Sequence, residues 1–341
     1  MNRIQFEDIK SFTQTFKLSE SFANSKILIT GATGLIGSSL VHCLLALDKN
    51  INITCPVRNI AKAHSMYIDS IDRINFVEGD LLDFLDNLSN MDQYEYVIHC
   101  ASPTAGKYMT AHPVETYILA IESTRAVLEY GRNKWVRSIV YVSSLEYYGQ
   151  NFDDKFITED MQGYVDYTDT RSSYPLGKRA AEYLCVAYSY QYGVNVKIAR
   201  LTQTFGAGVA ADDNRVFAQF ARSIIAGSDI ILHTKGESAK PYCYTTDCIS
   251  AILYILQKGN NGEAYNVANQ ETYISIREMA EFLRDNFNPN VKVVIEEHPE
   301  LGYAPVTKLH LSSEKLEALG WKPHYDLKDM FSRLILYLRE M

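Results

Sequence analysis

From Lys26 to about Arg200, short apolar runs alternate with stretches whose apolar residues recur at helical spacing. The runs cover 26–30, 53–57, 74–77, 96–100, 138–142 and 194–199, and helical patterns start between them near Gly34, Ile60, Pro113 and Ser173. Runs of this kind read as strands covered on both faces, and their alternation with helices predicts a doubly wound parallel sheet of the α/β, Rossmann-like class. Ahead of it, Phe6, Ile9, Phe12, Phe16 and Phe22 recur at roughly helical spacing, which favours a helix packed on the main domain over a dimerisation arm. Beyond Arg200 the pattern loosens into loops rich in Gly, Asp and Asn, with helices predicted over 216–225, 247–256 and 276–286. The expected organisation is an extension at 1–24, the sheet domain at 25–200 and a smaller α/β lobe at 201–341 that closes over the sheet, with room for a strand or helix to be exchanged between the two.

Composition removes several classes of function. The chain has 341 residues, enough for a sizeable core, and 47% hydrophobic with 22% charged residues is the balance of a folded protein. A net charge of -8 without a long basic run argues against nucleic acid as a partner. No apolar run reaches membrane-spanning length, and Glu7, Asp8, Lys10 and Glu20 interrupt the N-terminal apolar residues, so neither a signal peptide nor a membrane anchor is expected. Cys43, Cys55, Cys100, Cys185, Cys243 and Cys248 are scattered without C-x-x-C pairing, which points to a reducing cytoplasm, thiols used as small core residues and no metal site.

The first apolar run leads straight into Gly31-Ala32-Thr33-Gly34-Leu35-Ile36-Gly37 and a new apolar stripe, a buried strand turning sharply into a helix. Glycine permits the positive φ of such a turn and lets backbone approach a pyrophosphate, whose charge then rests on the helix N-terminus. A dinucleotide is the expected ligand of Gly31, Thr33, Gly34, Leu35, Ile36 and Gly37. After the second run comes Arg58, where an acidic residue would bond a ribose 2′-hydroxyl and arginine suits a 2′-phosphate; this favours NADP over NAD, the alternative being a solvated arginine opening a helix. Asp80 and Leu81 follow the third run, where the carboxylate either takes the adenine amino group or caps the next turn.

The second informative stretch is Arg171-Ser172-Ser173-Tyr174-Pro175-Leu176-Gly177-Lys178. Tyr174 and Lys178 are one helical turn apart and share a face, so an ammonium beside the phenol is expected to lower its pKa and make it a general base. The pair lies downstream of the glycine turn and of Tyr141-Val142-Ser143-Ser144, a strand whose carboxyl end carries hydroxyls. Ligands bind outside the carboxyl ends of such strands, which would let Ser144 bond the oxygen that Tyr174 deprotonates.

Together Gly31 to Gly37, Asp80, His99-Cys100-Ala101-Ser102-Pro103, Ser144-Leu145-Glu146-Tyr147-Tyr148-Gly149 and Tyr174-x-x-x-Lys178 resemble the extended short-chain dehydrogenase/reductase superfamily. Within it the chain resembles the NAD-dependent epimerase/dehydratase family, in particular its UDP-glucuronate decarboxylases and dTDP-glucose 4,6-dehydratases. The likeness runs from Lys26 to the segment Leu311 to Pro323. It implies bound NAD(P), a nucleoside-diphosphate sugar as substrate, a transient 4-keto intermediate, and a homodimer formed by helices near 113–133 and 173–192. It also implies roles: Tyr174 as base, Lys178 holding the cofactor ribose, Ser144 polarising the sugar oxygen, and Glu146 moving the C5 proton unless it is only a capping or surface acid. Ala101 and Ser102 are expected at the cofactor, Pro103 and Thr104 at the substrate. Other outcomes left open are a net NADPH-dependent reductase and a non-catalytic nucleotide-binding module.

Four positions depart from that pattern. Leu145 stands where the dehydratases carry an aspartic acid that protonates the departing hydroxyl. Gln203 stands at the asparagine expected to touch the nucleotide sugar, and Lys240 at the diphosphate-clamping arginine, keeping the charge and losing the bidentate fork. Ala120 stands at a helix asparagine that supports the tyrosine. Arg215 fits the loop arginine facing the nucleotide, or is a surface arginine starting a helix.

Overall fold

A computed structural model of the chain describes residues 1–48, 50–87, 93–103, 106–150, 155–298 and 305–341. Its first half contains α1 (Arg3–Thr15), β1 (Lys26–Thr30), α2 (Leu35–Leu47), β2 (Asn52–Val57), α3 (Ile60–Met66), β3 (Ile74–Glu78), α4 (Leu81–Asp86) and β4 (Tyr96–His99). There follow α5 (Gly106–Ala111), α6 (Pro113–Lys134), β5 (Ser138–Ser144), β6 (Phe156–Ile157), α7 (Ser173–Tyr192), β7 (Val196–Leu201) and β8 (Gln203–Phe205). The remainder is α8 (Val216–Ala226), β9 (Ile230–Leu232), β10 (Ala239–Tyr244), α9 (Thr245–Lys258), β11 (Ala264–Val267), β12 (Asn269–Ser275) and α10 (Ile276–Phe287). It ends with β13 (Val293–Ile295), β14 (His310–Leu311), α11 (Glu314–Glu317) and α12 (Leu327–Arg339).

Seven parallel strands form the main sheet in the order β11-β7-β5-β4-β1-β2-β3. Apart from edge strand β3, the strands are almost wholly buried because helices cover both faces: α1, α2 and α9 share one core with Phe12, Phe22 and Ile252, while α6 and α7 share the other with Val127 and Cys185. The order reverses between β1 and β4, and the crevice outside their carboxyl ends is where this topology takes ligands. The six runs read from the sequence are six of the seven strands. The last begins two residues later than expected, at Val196, because Gly193 in the left-handed region ends α7 and the Val194 amide turns back onto the Tyr188 carbonyl. The seventh strand, 264–267, comes from beyond residue 200 and pairs with β7.

A smaller unit holds the sheet β12-β10-β8 with α8, α10 and α12 around Phe205, Phe217, Tyr242 and Phe331. Helix α12 is absent from the periodicity reading; its apolar stripe of Met330, Phe331, Leu334 and Ile335 closes this second core. The N-terminal extension forms the expected helix, begun by a capping box in which Asn2 and Gln5 satisfy each other's amides. Among the described residues no helix is long and apolar enough to cross a membrane, and no group of His, Cys, Asp or Glu has metal-binding geometry.

Candidate active site

The glycine turn sits at the sheet's switch point. Gly31 has φ +75°, and a Cβ there would lie 2.9 Å from the Ala101 amide nitrogen after β4. A Cβ on Gly37 would lie 2.2 Å from the Gly31 carbonyl oxygen, so α2 leaves the turn as closely as backbone allows. The first turn of α2 thereby presents its amides to the crevice, with Thr33, Leu35 and Ile36 half-buried along it. These features fit a dinucleotide pyrophosphate.

A run of neutral hydrogen bonds fixes the segment after β4 that abuts the glycine turn. Ser123 gives its proton to the Leu119 carbonyl at 2.6 Å, so His99 must carry its hydrogen on Nε2, 3.1 Å from Ser123 Oγ. His99 Nδ1 then accepts from Thr30 Oγ1 at 2.7 Å, and Thr30 in turn accepts the Ala101 amide at 3.1 Å. Burial, reinforced by Lys178, drives the imidazole to about 3, consistent with a neutral ring. The segment carrying Ala101, Ser102 and Pro103 is thus tied to β1 and α6 without any buried charge.

The catalytic candidates converge beside this segment. The Tyr174 hydroxyl lies close to Ser144 and to Ser102, near enough for both to lower its pKa. Ser144 ends β5, caps the short turn that follows and accepts the Glu146 amide at 3.2 Å. Glu146 is exposed on that turn, and its charge reaches both Tyr174 and the half-buried Lys240. Lys178 is 3% exposed; its Nζ donates to the Val142 carbonyl at 2.8 Å and lies 5.5 Å from the Tyr174 ring centre.

This arrangement corrects one expectation. Tyr174 is not made acidic by Lys178: burial pushes the phenol up to about 12, and the nearby Ser144 and Ser102 offset only part of that. The ammonium is directed at a backbone carbonyl instead, and burial lowers Lys178 itself to about 8.

The family model described as "NAD dependent epimerase/dehydratase family" matches residues 27–268, most of the chain and all the elements just described. The chain belongs to the NAD dependent epimerase/dehydratase family. It is 26% identical over 319 residues to UDP-glucuronic acid decarboxylase 3 of Arabidopsis thaliana, covering 90% of this chain and 86% of that one. The Arabidopsis decarboxylase 6 is 28% identical over 320 residues, with coverage of 90% and 87%. Among solved structures, UDP-glucose 4-epimerase with UDP-glucose from Thermotoga maritima superposes with a TM-score of 0.79 at 20% identity, covering 92% of this chain and 99% of that one. A dTDP-glucose 4,6-dehydratase from Bacillus anthracis in complex with NAD gives 0.77 at 20% identity, covering 93% and 97%. The chain therefore shares this family's Rossmann-like fold and its character as an NAD-dependent enzyme.

Several candidates lie elsewhere or are otherwise engaged. Asp80 caps α4, accepting the Leu82 amide at 2.9 Å, and Leu81 opens that helix. Arg58 is exposed directly after β2. Arg215 precedes α8 and pairs with Asp213 on its own loop, Nη2 to Oδ2 at 2.5 Å. Gln203 and Lys240 are half-buried on β8 and β10, adjacent strands of the smaller sheet. Thr104 lies outside the described residues. Ala120 abuts α7: a Cβ on Gly177 would be 3.2 Å from its own Cβ, leaving little room for a longer side chain at that crossing.

Residue-by-residue reading missed the support beneath the site. Glu182, one turn beyond Lys178, accepts from Ser143 Oγ at 2.5 Å and forms a buried ion pair with Arg200 at 2.8 Å. Arg200 also donates to Tyr148 Oη at 2.9 Å and to the Glu159 carbonyl at 2.8 Å, while its guanidinium lies 3.5 Å from the Tyr147 ring centre. The guanidinium thus joins α7, β7 and the turn bearing Glu146, and Glu182 extends the link to Ser143 of β5. The signal was present as a third member of one helix face, Tyr174, Lys178 and Glu182.

Proposed function

We propose that this enzyme oxidises the C4 hydroxyl of a nucleoside-diphosphate sugar using bound NAD(P), carries out chemistry at C5 and then restores C4, with loss of the C6 carboxylate of a uronate as the net reaction. The observation that carries the reading is the approach of the Tyr174 hydroxyl to Ser144 and Ser102 beside the dinucleotide crevice, with the charge of Glu146 reaching both Tyr174 and Lys240. Gly31, Gly37 and the amides of α2 would hold the pyrophosphate, and Lys178 a cofactor ribose. When bound, the nicotinamide supplies reversible acceptance of the two electrons and hydrogen from C4.

The chain's own residues do the rest. Ser144 and Ser102 bond the substrate oxygen and the phenol oxygen, so that Tyr174 takes the C4 hydroxyl proton as the carbonyl forms. In a 4-keto uronate the C5–C6 bond is β to that carbonyl. When it breaks, its electron pair enters the ketone as an enolate, carbon dioxide leaves and C5 must receive a proton. Glu146 stands on the turn next to Tyr174 to deliver it. Two features support decarboxylation over dehydration: Leu145, 5% exposed, puts an apolar side chain where a dehydratase would keep its second acid, and Lys240 supplies a cation for a carboxylate-bearing sugar. The curated relatives named above are UDP-glucuronic acid decarboxylases, which agrees with this choice.

Mass spectrometry of products from NAD-loaded protein given UDP-glucuronate, UDP-glucose, dTDP-glucose, CDP-glucose and GDP-mannose tests it. Carbon dioxide lost from UDP-glucuronate alone is the expected result; conversion of a neutral sugar without it would overturn the assignment. Arg58 favours NADP at the 2′-position, and cofactor released and consumed as NADPH would favour the reductase reading instead. A homodimer completes the proposal: α6 exposes Val114, Tyr117 and Ile118, and α7 exposes Tyr183, Val186 and Tyr190, two adjacent helices with apolar faces for a second copy. Sedimentation of a Tyr183→Glu variant as a monomer beside a dimeric parent checks that arrangement.

A further inference from the structure

The N-terminal helix is joined to the substrate side of the cleft through one buried carboxylate. Asp8 is only 3% exposed, and its oxygens accept from Tyr244 Oη at 2.6 Å and from the Arg333 guanidinium. Those partners are 236 and 325 residues away in sequence. Tyr244 ends β10, the strand that carries Lys240, and pairs in register with Phe205 at the end of β8, the strand that carries Gln203. The Tyr244 hydroxyl also accepts the Ala207 amide at 3.5 Å.

The same loop is held from two further directions. The Gly208 amide lies close enough to Tyr337 on α12 to lower its pKa, and Ile4, 1% exposed, packs in one cluster with Ala207 and Tyr337. A Cβ on Gly208 would be 3.1 Å from Gln5 Nε2 and 3.4 Å from Leu35 Cδ1, which brings α1, this loop and the glycine turn to one point. Along the rest of α1, Phe12 and Phe16 enter the main core, where Phe16 meets Tyr254 edge-on at 5.7 Å. The helix therefore packs against both the main core and the 206–209 loop of the smaller unit. Apolar contacts alone would attach it, whereas a buried carboxylate is a costly attachment whose hydrogen bonds are directional.

We propose that Asp8 is a positioning residue for the nucleotide-sugar side of the cleft: through Tyr244 it holds the 206–209 loop and the paired ends of β8 and β10 in place against the glycine turn. Its effect on substrate rests on the proposed function, in which Gln203 and Lys240 face the nucleotide sugar; its effect on the loop does not.

Hydrogen exchange by mass spectrometry on the NAD-loaded full chain separates the two. In Asp8→Asn and in Tyr244→Phe, amides at 206–209 should exchange about tenfold faster, the loss expected from one hydrogen bond to a charged group, while peptides from the glycine turn and α7 keep their protection. Tyr244→Phe leaves the Asp8–Arg333 pair intact, so it reports even if Asp8→Asn folds poorly. With UDP-glucuronate, KM should rise about tenfold in either variant while kcat stays within about twofold, and the double variant should match the singles. Unchanged exchange at 206–209, a uniform rise across the protein, or a fall in kcat at constant KM would overturn the proposal. Faster loop exchange in a protein whose parent turns over no nucleotide sugar would uphold the role of Asp8 and refute the proposed reaction.

Discussion

The ammonium of Lys178 is hydrogen-bonded to the Val142 carbonyl at 2.8 Å, while the Tyr174 ring centre is 5.5 Å away. The lysine is thereby fixed to the strand that delivers Ser144, and its charge is felt in a buried layer that also contains Glu182 and His99. Burial lowers Lys178 from 10.5 to about 8. Between those two values the unfolded chain holds a proton that the native protein has released, so native stability rises with pH across that window. Thermal unfolding from pH 7 to 10 should show this rise in the parent and a smaller one in Lys178→Met. Lys197, also lowered to about 8, titrates in both proteins and cancels from the difference.

Tyr174→Phe removes the proposed base and leaves the ring. Turnover should fall about 10²–10⁴-fold, the usual contribution of a positioned general base, with NAD retention unchanged. Because the phenol is pushed up to about 12 in the free protein, the parent should gain activity as pH rises toward the alkaline side until Lys178 loses its charge. Stopped-flow absorbance of reduced nicotinamide on mixing with UDP-glucuronate reads the first half-reaction directly.

Breaking the Arg200–Glu182 pair from one side leaves a buried charge without its partner. Arg200→Met should cost about 3–5 kcal/mol in urea unfolding, and pairing it with Glu182→Leu should recover much of that loss. Only the double variant loses the Ser143–Glu182 hydrogen bond, so it should be stable and yet slow.

Arg58→Asp should reverse cofactor preference from NADP toward NAD, shifting the ratio of dissociation constants by about tenfold or more if the guanidinium contacts a 2′-phosphate. Fluorescence titration with NADPH and NADH measures it, and an unchanged ratio would remove Arg58 from the site.

Lys240→Met should weaken UDP-glucuronate far more than UDP-glucose, by about tenfold for loss of one partly buried charge contact. Inhibition by the two nucleotide sugars in competition separates the carboxylate contact from a general loss of nucleotide affinity.

By itself the sequence determined the architecture and the local geometry of the glycine turn and of the Tyr174–Lys178 pair. Apolar runs and helical stripes specify strands and helices because those contacts are local and periodic, and the glycines at 31, 34 and 37 and the Tyr174–Lys178 spacing encode their geometry within a few residues. Only the tertiary structure decided which charges meet. That Lys178 would bond a strand carbonyl, that burial would raise Tyr174, that Arg200 would pair with Glu182 and that Asp8 would anchor Tyr244 all depend on which distant segments fold together and how much water they exclude. Desolvation and long-range pairing belong to the packed chain, and no periodicity in the sequence reports them.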